Sequence, residues 1–383
     1  MPQQDLVDSY LPSFQTCVEQ GQVAGVMCSY NAVNGVPSCA NEWLLGTLLR
    51  GAWEFDGYVT SDCDADSDVF FSHHYTKTPS DAVRLIVAAG TDVDCEFGNG
   101  FMTTYVPGAL ADGNVTVAQL DVLLKRLFRV RLRLGHFDPP GPLQTIPTSD
   151  VCSPYAVELA RDGARQGIVL LKNDGTLPLK AASSYKNAVV IGPLIDQTDT
   201  ISYYGSDQPC FNNFSTPLDA ITQHVPGAAG IKGVPSVGSG NTSGIAAAAA
   251  AAAAADLVIL QVGSNLDLEC EGQDRTSIAF SDAQLALIAA VTAAAKVQVV
   301  VQVHSGGAMD VSPLLANAKV GAILHAGQPS VQVVGAGDIM FGVTLDGRPV
   351  VPAARMSQMT YPADIVNQVS MFDFGMRPGT SPW

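Results

Sequence analysis

Carboxylates are concentrated at two places in the 383-residue chain. One is Ser61-Asp62-Cys63-Asp64-Ala65-Asp66-Ser67-Asp68, directly after the short run Tyr58–Thr60. The other is Asp267-Leu268-Glu269-Cys270-Glu271-Gly272-Gln273-Asp274-Arg275, just after Leu257–Gly263. Such runs read as buried strands, and parallel α/β sheets gather ligand-binding groups at the C-terminal ends of their strands. Two carboxylates from two places, meeting in one cleft, are the minimum equipment for glycoside hydrolysis. One attacks or stabilises the cationic sugar centre, and the other moves a proton. The same acids also suit solvated loops or helix N-caps, and the pattern alone favours that plainer reading.

Other chemistries fit less well. The alternation of Asp62, Asp64, Asp66 and Asp68 resembles the start of an EF-hand loop, but Ser67 stands where that loop needs Gly, and His73 where it needs Glu. Gly238-x-Gly240 and Gly335-x-Gly337 lack the strand–turn–helix setting of a dinucleotide fingerprint, and no GxxxxGK[ST] occurs. The eight cysteines include no CxxC pair and no His at zinc-finger spacing, so they read as buried thiols or disulfides. His73-His74 and His304-Ser305 read as structural or sugar-contacting groups sooner than metal ligands.

The elements that must position these groups alternate. Leu6–Glu19 has helical spacing, with Pro12 expected to break or kink it. Val23–Ser29 is a strand, Asn31–Ala40 a turn-rich loop, Glu42–Trp53 a helix and Tyr58–Thr60 a strand. A helix over Ser80–Ala89, with Ser80 as N-cap, is followed by a strand over Thr91–Asp94. Thr116-x-x-Gln119 opens a long helix over Val115–Leu134 as a capping box. This order predicts a parallel sheet with crossover helices. The Pro-rich stretch from His136 breaks all periodicity and marks a boundary. Beyond it, Ile168–Leu171, Ala188–Ile191, Leu257–Val262, Val297–Val303 and Ala322–Leu324 read as buried parallel strands. Ala246–Ala255 and Ser281–Ala295 read as helices, the first packed closely on the sheet. Residues 204–244 look irregular, and Met359–Trp383 looks like an extended tail.

Composition narrows the partners. With 36 acidic and 20 basic residues the net charge is −16, which excludes the basic surface of a nucleic-acid binder. The longest apolar stretch, the Ala run, is far short of the ~20 residues of a membrane span. Three sequons, at Asn114, Asn213 and Asn241, together with the eight cysteines, fit a secreted glycoprotein. Met1-Pro-Gln-Gln-Asp-Leu has neither the basic nor the apolar region of a signal peptide, so the natural protein is expected to begin upstream.

Five motifs resemble those of family 3 glycoside hydrolases, most closely the β-xylosidase branch of fungi and plants. They are Met27-Cys28-Ser29-Tyr30-Asn31-x-Val33-Asn34-Gly35-Val36-Pro37, Asp56-Gly57-Tyr58-Val59-x-Ser61-Asp62-Cys63-Asp64, Leu134-Gly135-x-Phe137-Asp138, Val169-Leu170-Leu171-Lys172-Asn173-Asp174-Gly175-x-Leu177-Pro178-Leu179 and Glu269-x-Glu271-Gly272-Gln273-Asp274-Arg275. The resemblance implies an α/β fold: a (β/α)8-type barrel, then an α/β sandwich with a mostly parallel sheet, with the active site between them. Asp62 matches the catalytic nucleophile, and Tyr30 a sugar-facing residue beside it, with Cys63 and Asp64 as neighbouring substrate-binding positions. Glu269 and Glu271 both lie in the acid/base loop. Glu269, nearer the strand end, is favoured as the acid/base, with Glu271 as the alternative or as a loop-bracing acid. Cys63 and Cys95 follow successive strand ends and could pair, while Cys28 and Cys39 bracket one loop.

Only about three barrel strands precede the Pro-rich stretch. Residues 1–140 therefore correspond to the second half of the barrel, 141–165 to a linker, and 166–383 to the sandwich with its tail. The expected activity is retaining, exo-acting release of terminal β-D-xylose from xylo-oligosaccharides, without cofactor or metal. The alternatives are α-L-arabinofuranosidase or dual activity, or an inactive carbohydrate-binding fragment. With half the barrel missing, slow turnover is expected, and self-association through the open barrel edge.

Overall fold

The chain divides into two compact units, Met1–Thr145 and Ile146–Trp383. The computed structural model describes residues 1–96, 98, 100–198, 214–270, 273, 275–328, 335–344 and 347. In the first unit, strand β1 (Gly25–Cys28) leads into a small hairpin of β2 (Ala32–Val33) and β3 (Val36–Pro37). Asn34 and Gly35 close the hairpin with φ of 52° and 84°, the left-handed pair that a two-residue turn requires. Strand β4 (Tyr58–Ser61) then runs parallel to β1, with Cys28 opposite Ser61.

The strand expected over Thr91–Asp94 is reduced to one parallel bridge, Val93 beside Thr60. The chain turns there because Asp94 and Glu96 accept from the backbone N–H groups of Met102 and Phe101. They satisfy the first turn of helix Phe101–Ala111 instead of continuing the ladder. Helix Pro79–Ala89 is capped by Thr78 and not by Ser80. Pro79 suits the first helical position, which leaves Thr78 to accept from the Asp81 N–H at 3.1 Å. The capping box of Thr116 and Gln119 forms as expected at the head of helix Val117–Arg133. Pro12 does not interrupt the first helical segment. A wide π-type turn over Leu6–Tyr10 precedes it, so Pro12 falls in the first turn of helix Leu11–Glu19, where no N–H is needed.

One buried carboxylate draws these pieces together. Asp92 accepts from Arg50 Nη2 (2.5 Å), Arg126 Nη1 (3.1 Å) and the Val59 N–H (2.7 Å). It thus joins β4 to the π-type helix Trp43–Ala52 and to helix Val117–Arg133. Disulfides Cys28–Cys39 and Cys63–Cys95 fasten the ends of β1 and β4 to neighbouring segments.

The second unit holds a six-stranded mixed sheet. Its strands are β5 (Val169–Asn173), β6 (Ala188–Ile191), β7 (Ala229–Ile231), β8 (Leu257–Gly263), β9 (Val299–His304) and β10 (Val320–His325), in the order β5-β10-β9-β8-β6-β7. All pairings are parallel except β5 with β10, so Ile168–Leu171 corresponds to an antiparallel, half-buried edge strand. Alternate residues of β8 face opposite ways. Val258, Leu260 and Val262 pack with Ala248, Ala252, Leu287 and Val291, while Leu257 and Ile259 pack with Ile221, Ile339 and Met340. Helices therefore cover both faces, and the Ala run forms helix Ile245–Ala254, whose buried methyls permit close approach.

Two further expectations change in detail. Helix Pro154–Gly167 occupies much of the stretch read as linker. It forms because Ser153 caps it and buried Asp338 takes Arg161 and Arg165 as partners. Residues 204–244 include helix Pro217–Thr222 and β7. The tail Met359–Trp383 lies outside the described residues. Among the described residues no helix is long and apolar enough to cross a membrane.

Removing one member of a buried charge cluster strands its partners. Asp92→Ala should therefore destabilise the first unit by ~3–5 kcal/mol, read from chemical denaturation. A loss below ~1 kcal/mol would show that Asp92 does not hold these elements together.

Candidate functional site

Asp62 is the first residue past β4. Its N–H donates to the Cys28 carbonyl (2.8 Å), and its half-buried carboxylate accepts from the Cys63 N–H through Oδ1 (2.8 Å). Cys63 is held in its disulfide and offers cystine sulfur, not thiol. Asp64 has φ 70°, a left-handed conformation held by its N–H to the Cys95 carbonyl (2.8 Å), and its side chain is exposed. Tyr30 follows β1 by two residues, and its backbone oxygen meets His73 Nε2 at 2.7 Å. Since β1 and β4 are parallel and in register, Tyr30 and the Asp62 turn leave the same end of the pair.

The alternating acids do not converge on one point. Asp66 is buried beside the Cys28–Cys39 disulfide, and among the described residues neither of its oxygens has a hydrogen-bond partner. Burial first, then Asp94 and Glu96, push its carboxyl well above the usual range, which favours the neutral form. Burial also raises Asp94 and Glu96, against the helix N–H groups that they accept from. Their proximity to the Asp62 turn was not visible as a spacing, because a bridge between β4 and Val93 creates it.

In the second unit the loop after β8 carries Glu269. This carboxylate accepts from Ser264 Oγ, from the backbone N–H groups of Gly306 (2.8 Å) and Gly307 (3.4 Å), and from Arg275 Nε (2.7 Å). Arg275 in turn donates to the Ala308 carbonyl (2.8 Å). Burial alone would raise the Glu269 carboxyl, but Ser264, Gly306 and Arg275 outweigh it and hold the group below the ordinary range. Glu269 and Arg275 line a cleft of about 1110 Å³ with Ser305, Gly306, Gly307 and Gln328. Glu271 lies outside the described residues.

Sequence reasoning missed the Gly306–Gly307 donors. The signal was a Gly pair two residues past the end of β9, where a strand-end turn exposes its N–H groups. His304 is wholly buried. Its Nε2 meets Gln261 Oε1 at 2.6 Å, and burial pushes its ring down to about 3, so it is a neutral part of the sheet and not a ligand.

This arrangement, carboxylates at the ends of parallel strands in each unit, can be set beside known proteins. The chain is 41% identical over 386 residues to a probable exo-1,4-beta-xylosidase of Aspergillus fumigatus, spanning 99% of this chain and 48% of that protein. It is 39% identical to beta-xylosidase/alpha-L-arabinofuranosidase 2 of Medicago sativa, over 98% of this chain and 47% of that one. The chain thus spans about half the length of the curated relatives it matches. Among solved structures, an exo-beta-xylosidase in complex with a xylobiose aziridine activity-based probe superposes with a TM-score of 0.80. That match has 34% identity and covers 95% of this chain and 47% of the other. The glycosyl hydrolase family 3 N-terminal domain matches residues 1–130 and the C-terminal domain of the same family matches residues 168–377. With the two models following one another in chain order over sheets of the kind described, the chain belongs to glycosyl hydrolase family 3.

Proposed function

We propose that the chain carries the catalytic groups of a retaining exo-glycosidase that releases terminal β-D-xylose from xylo-oligosaccharides. One observation carries this reading: a half-buried carboxylate, Asp62, at the end of a parallel strand in a family 3 chain whose relatives are named exo-1,4-beta-xylosidases. Asp62 attacks the anomeric carbon while the glycosidic oxygen leaves with a proton from the acid, which forms a glycosyl ester. Water then loses a proton to the same group and attacks the anomeric carbon, and the ester bond breaks. Tyr30, Cys63 and Asp64, around the same strand ends, are the groups placed to meet the sugar. The name of the Medicago relative supports α-L-arabinofuranosidase activity as a second reading.

The partners of Glu269 bear on which glutamate moves the proton. A general acid needs a proton and an unoccupied lone pair near working pH. Glu269 is instead an anion whose two oxygens take an arginine, a serine and two backbone N–H groups. We therefore assign loop bracing to Glu269 and proton transfer to Glu271, which reverses the preference drawn from position alone.

The same reading extends to architecture and setting. Three parallel neighbours, β1, β4 and Val93, support the second half of a (β/α)8-type barrel, and helices on both faces of the six-stranded sheet support a sandwich. The disulfides, with Asn241 exposed in a turn, support secretion and glycosylation. Exposed apolar side chains on the first unit, such as Met27 and Trp43, support self-association.

A slow-turnover substrate tests the nucleophile. With 2,4-dinitrophenyl 2-deoxy-2-fluoro-β-D-xyloside, peptide mass spectrometry should find the fluoroxylosyl ester on Asp62 and none in Asp62→Asn. A label on Asp64 would move the assignment. For the glutamates, Glu271→Ala should lose ~100-fold or more on phenyl β-D-xyloside and regain turnover of the dinitrophenyl glycoside with azide. Azide rescue confined to Glu269→Ala would restore the opposite assignment. Linkage supplies a third check. A carboxyl held below its unfolded value stabilises the fold fully above that value, ~4.3, and loses the contribution as pH falls through the lower folded one. Glu269→Gln should accordingly flatten the acid limb of stability against pH, whereas an unchanged limb would deny the bracing role.

A further inference from the structure

The turn that holds Glu269 is itself held. Ser305 follows β9 directly and is 1% exposed. Its hydroxyl donates to the Gly307 carbonyl at 2.6 Å, and its Oγ lies 2.9 Å from Nε2 of His325, the last residue of β10. The single hydroxyl proton is committed to Gly307, so the serine oxygen accepts and His325 donates from Nε2. Burial lowers the His325 ring and favours its neutral form, against the opposing pull of Glu269. The Ser305 N–H also donates to the Gly327 carbonyl (3.1 Å), which joins the turn to the segment after β10. Setting a buried serine against a half-buried histidine at adjoining strand ends is costly unless each finds its partner, and an apolar pair would fill the same space without that demand.

We infer that Ser305 and His325 are positioning residues for Glu269 and the loop that carries it, because their hydrogen bond sets the Gly306–Gly307 N–H pair that grips Glu269. The inference deepens the proposed reading and rests on it in one respect, that this loop bears the proton-transfer group. The chain of contacts runs from His325 to Ser305, to the glycine turn, to Glu269, and so to Ser264 and Arg275, which bracket Glu271 in the sequence. Neither Ser305 nor His325 is assigned contact with substrate.

Cys270 offers a readout independent of turnover. It is a free, part-exposed thiol inside this loop, while the free and exposed Cys17 lies in the other unit and serves as a control. Alkylation of both by iodoacetamide is followed by mass spectrometry in Ser305→Ala, Ser305→Thr and His325→Phe. Loss of one net hydrogen bond should raise the Cys270 rate about fivefold in Ser305→Ala and His325→Phe. The Cys17 rate should hold and the melt should stay cooperative, with Tm lowered by no more than the lost hydrogen bond, and Ser305→Thr, which keeps the hydroxyl, should match the parent chain. An unchanged Cys270 rate overturns the inference. So does a joint rise of both thiols with loss of the cooperative melt, which marks a general folding defect. The same variants should lose more turnover on phenyl than on dinitrophenyl β-D-xyloside, since only the poor leaving group needs a placed acid. If Cys270 responds while that ratio stays fixed, the positioning stands and the assignment of proton transfer to this loop falls.

Discussion

The charge-assisted grip on Glu269 is the interaction on which the candidate site of the second unit depends. A loop of polar residues after a buried strand has little apolar area with which to hold a shape. Here one carboxylate joins Ser264 at the loop's start, Arg275 at its end and the glycine turn after the next strand, beside local bonds such as Gln273 Nε2 to the Asp267 carbonyl (2.7 Å). Hydrogen bonds to ionised groups are roughly twice as strong as neutral ones. The sheet beneath is a precondition. Parallel β8 and β9 place Gly263 opposite His304, which brings the two strand ends, and hence the loop and the turn, to the same level.

The first unit solves the same problem differently. Asp62 also stands at a strand end, but covalent and ionic ties lie around it: two disulfides at the ends of β1 and β4, and Asp92 with its two arginines at the other end of β4. Burial favours the neutral form of neighbouring Asp66, while Asp94 and Glu96 accept from helix N–H groups and Asp64 stays exposed within the turn. The Asp62 carboxylate accepts one backbone N–H. Glu269, by contrast, accepts from a serine, an arginine and two backbone N–H groups.

Much of the fold was legible in the sequence. The runs Ala188–Ile191 and Leu257–Val262 became strands within a residue of their expected limits, because a strand covered on both faces must be apolar throughout. Capping pairs such as Thr116 and Gln119 were legible because both partners lie within one turn. Strand direction was not. Apolarity is the same whichever way the chain runs, so β5 read as parallel. The tolerance of Pro12 was hidden too, since it depends on which N–H groups the preceding turn uses. At the site, the positions of Asp62 and Glu269 after apolar runs marked them as candidates. Their roles were not separable by position, because two of the four partners of Glu269, Gly306 and Gly307, lie 37 and 38 residues away and meet it only through sheet pairing.

The central claim is that Glu269 is a fixed anion and not a proton carrier. Its own titration tests this most directly. In protein labelled with ¹³C at glutamate side-chain carboxyls, the resonance that disappears in Glu269→Gln identifies the group. The account predicts that this resonance titrates below the ordinary glutamate value of ~4.3 and moves upward in Arg275→Met. A midpoint above that value, unaffected by loss of Arg275, would contradict it and return Glu269 to the role of acid.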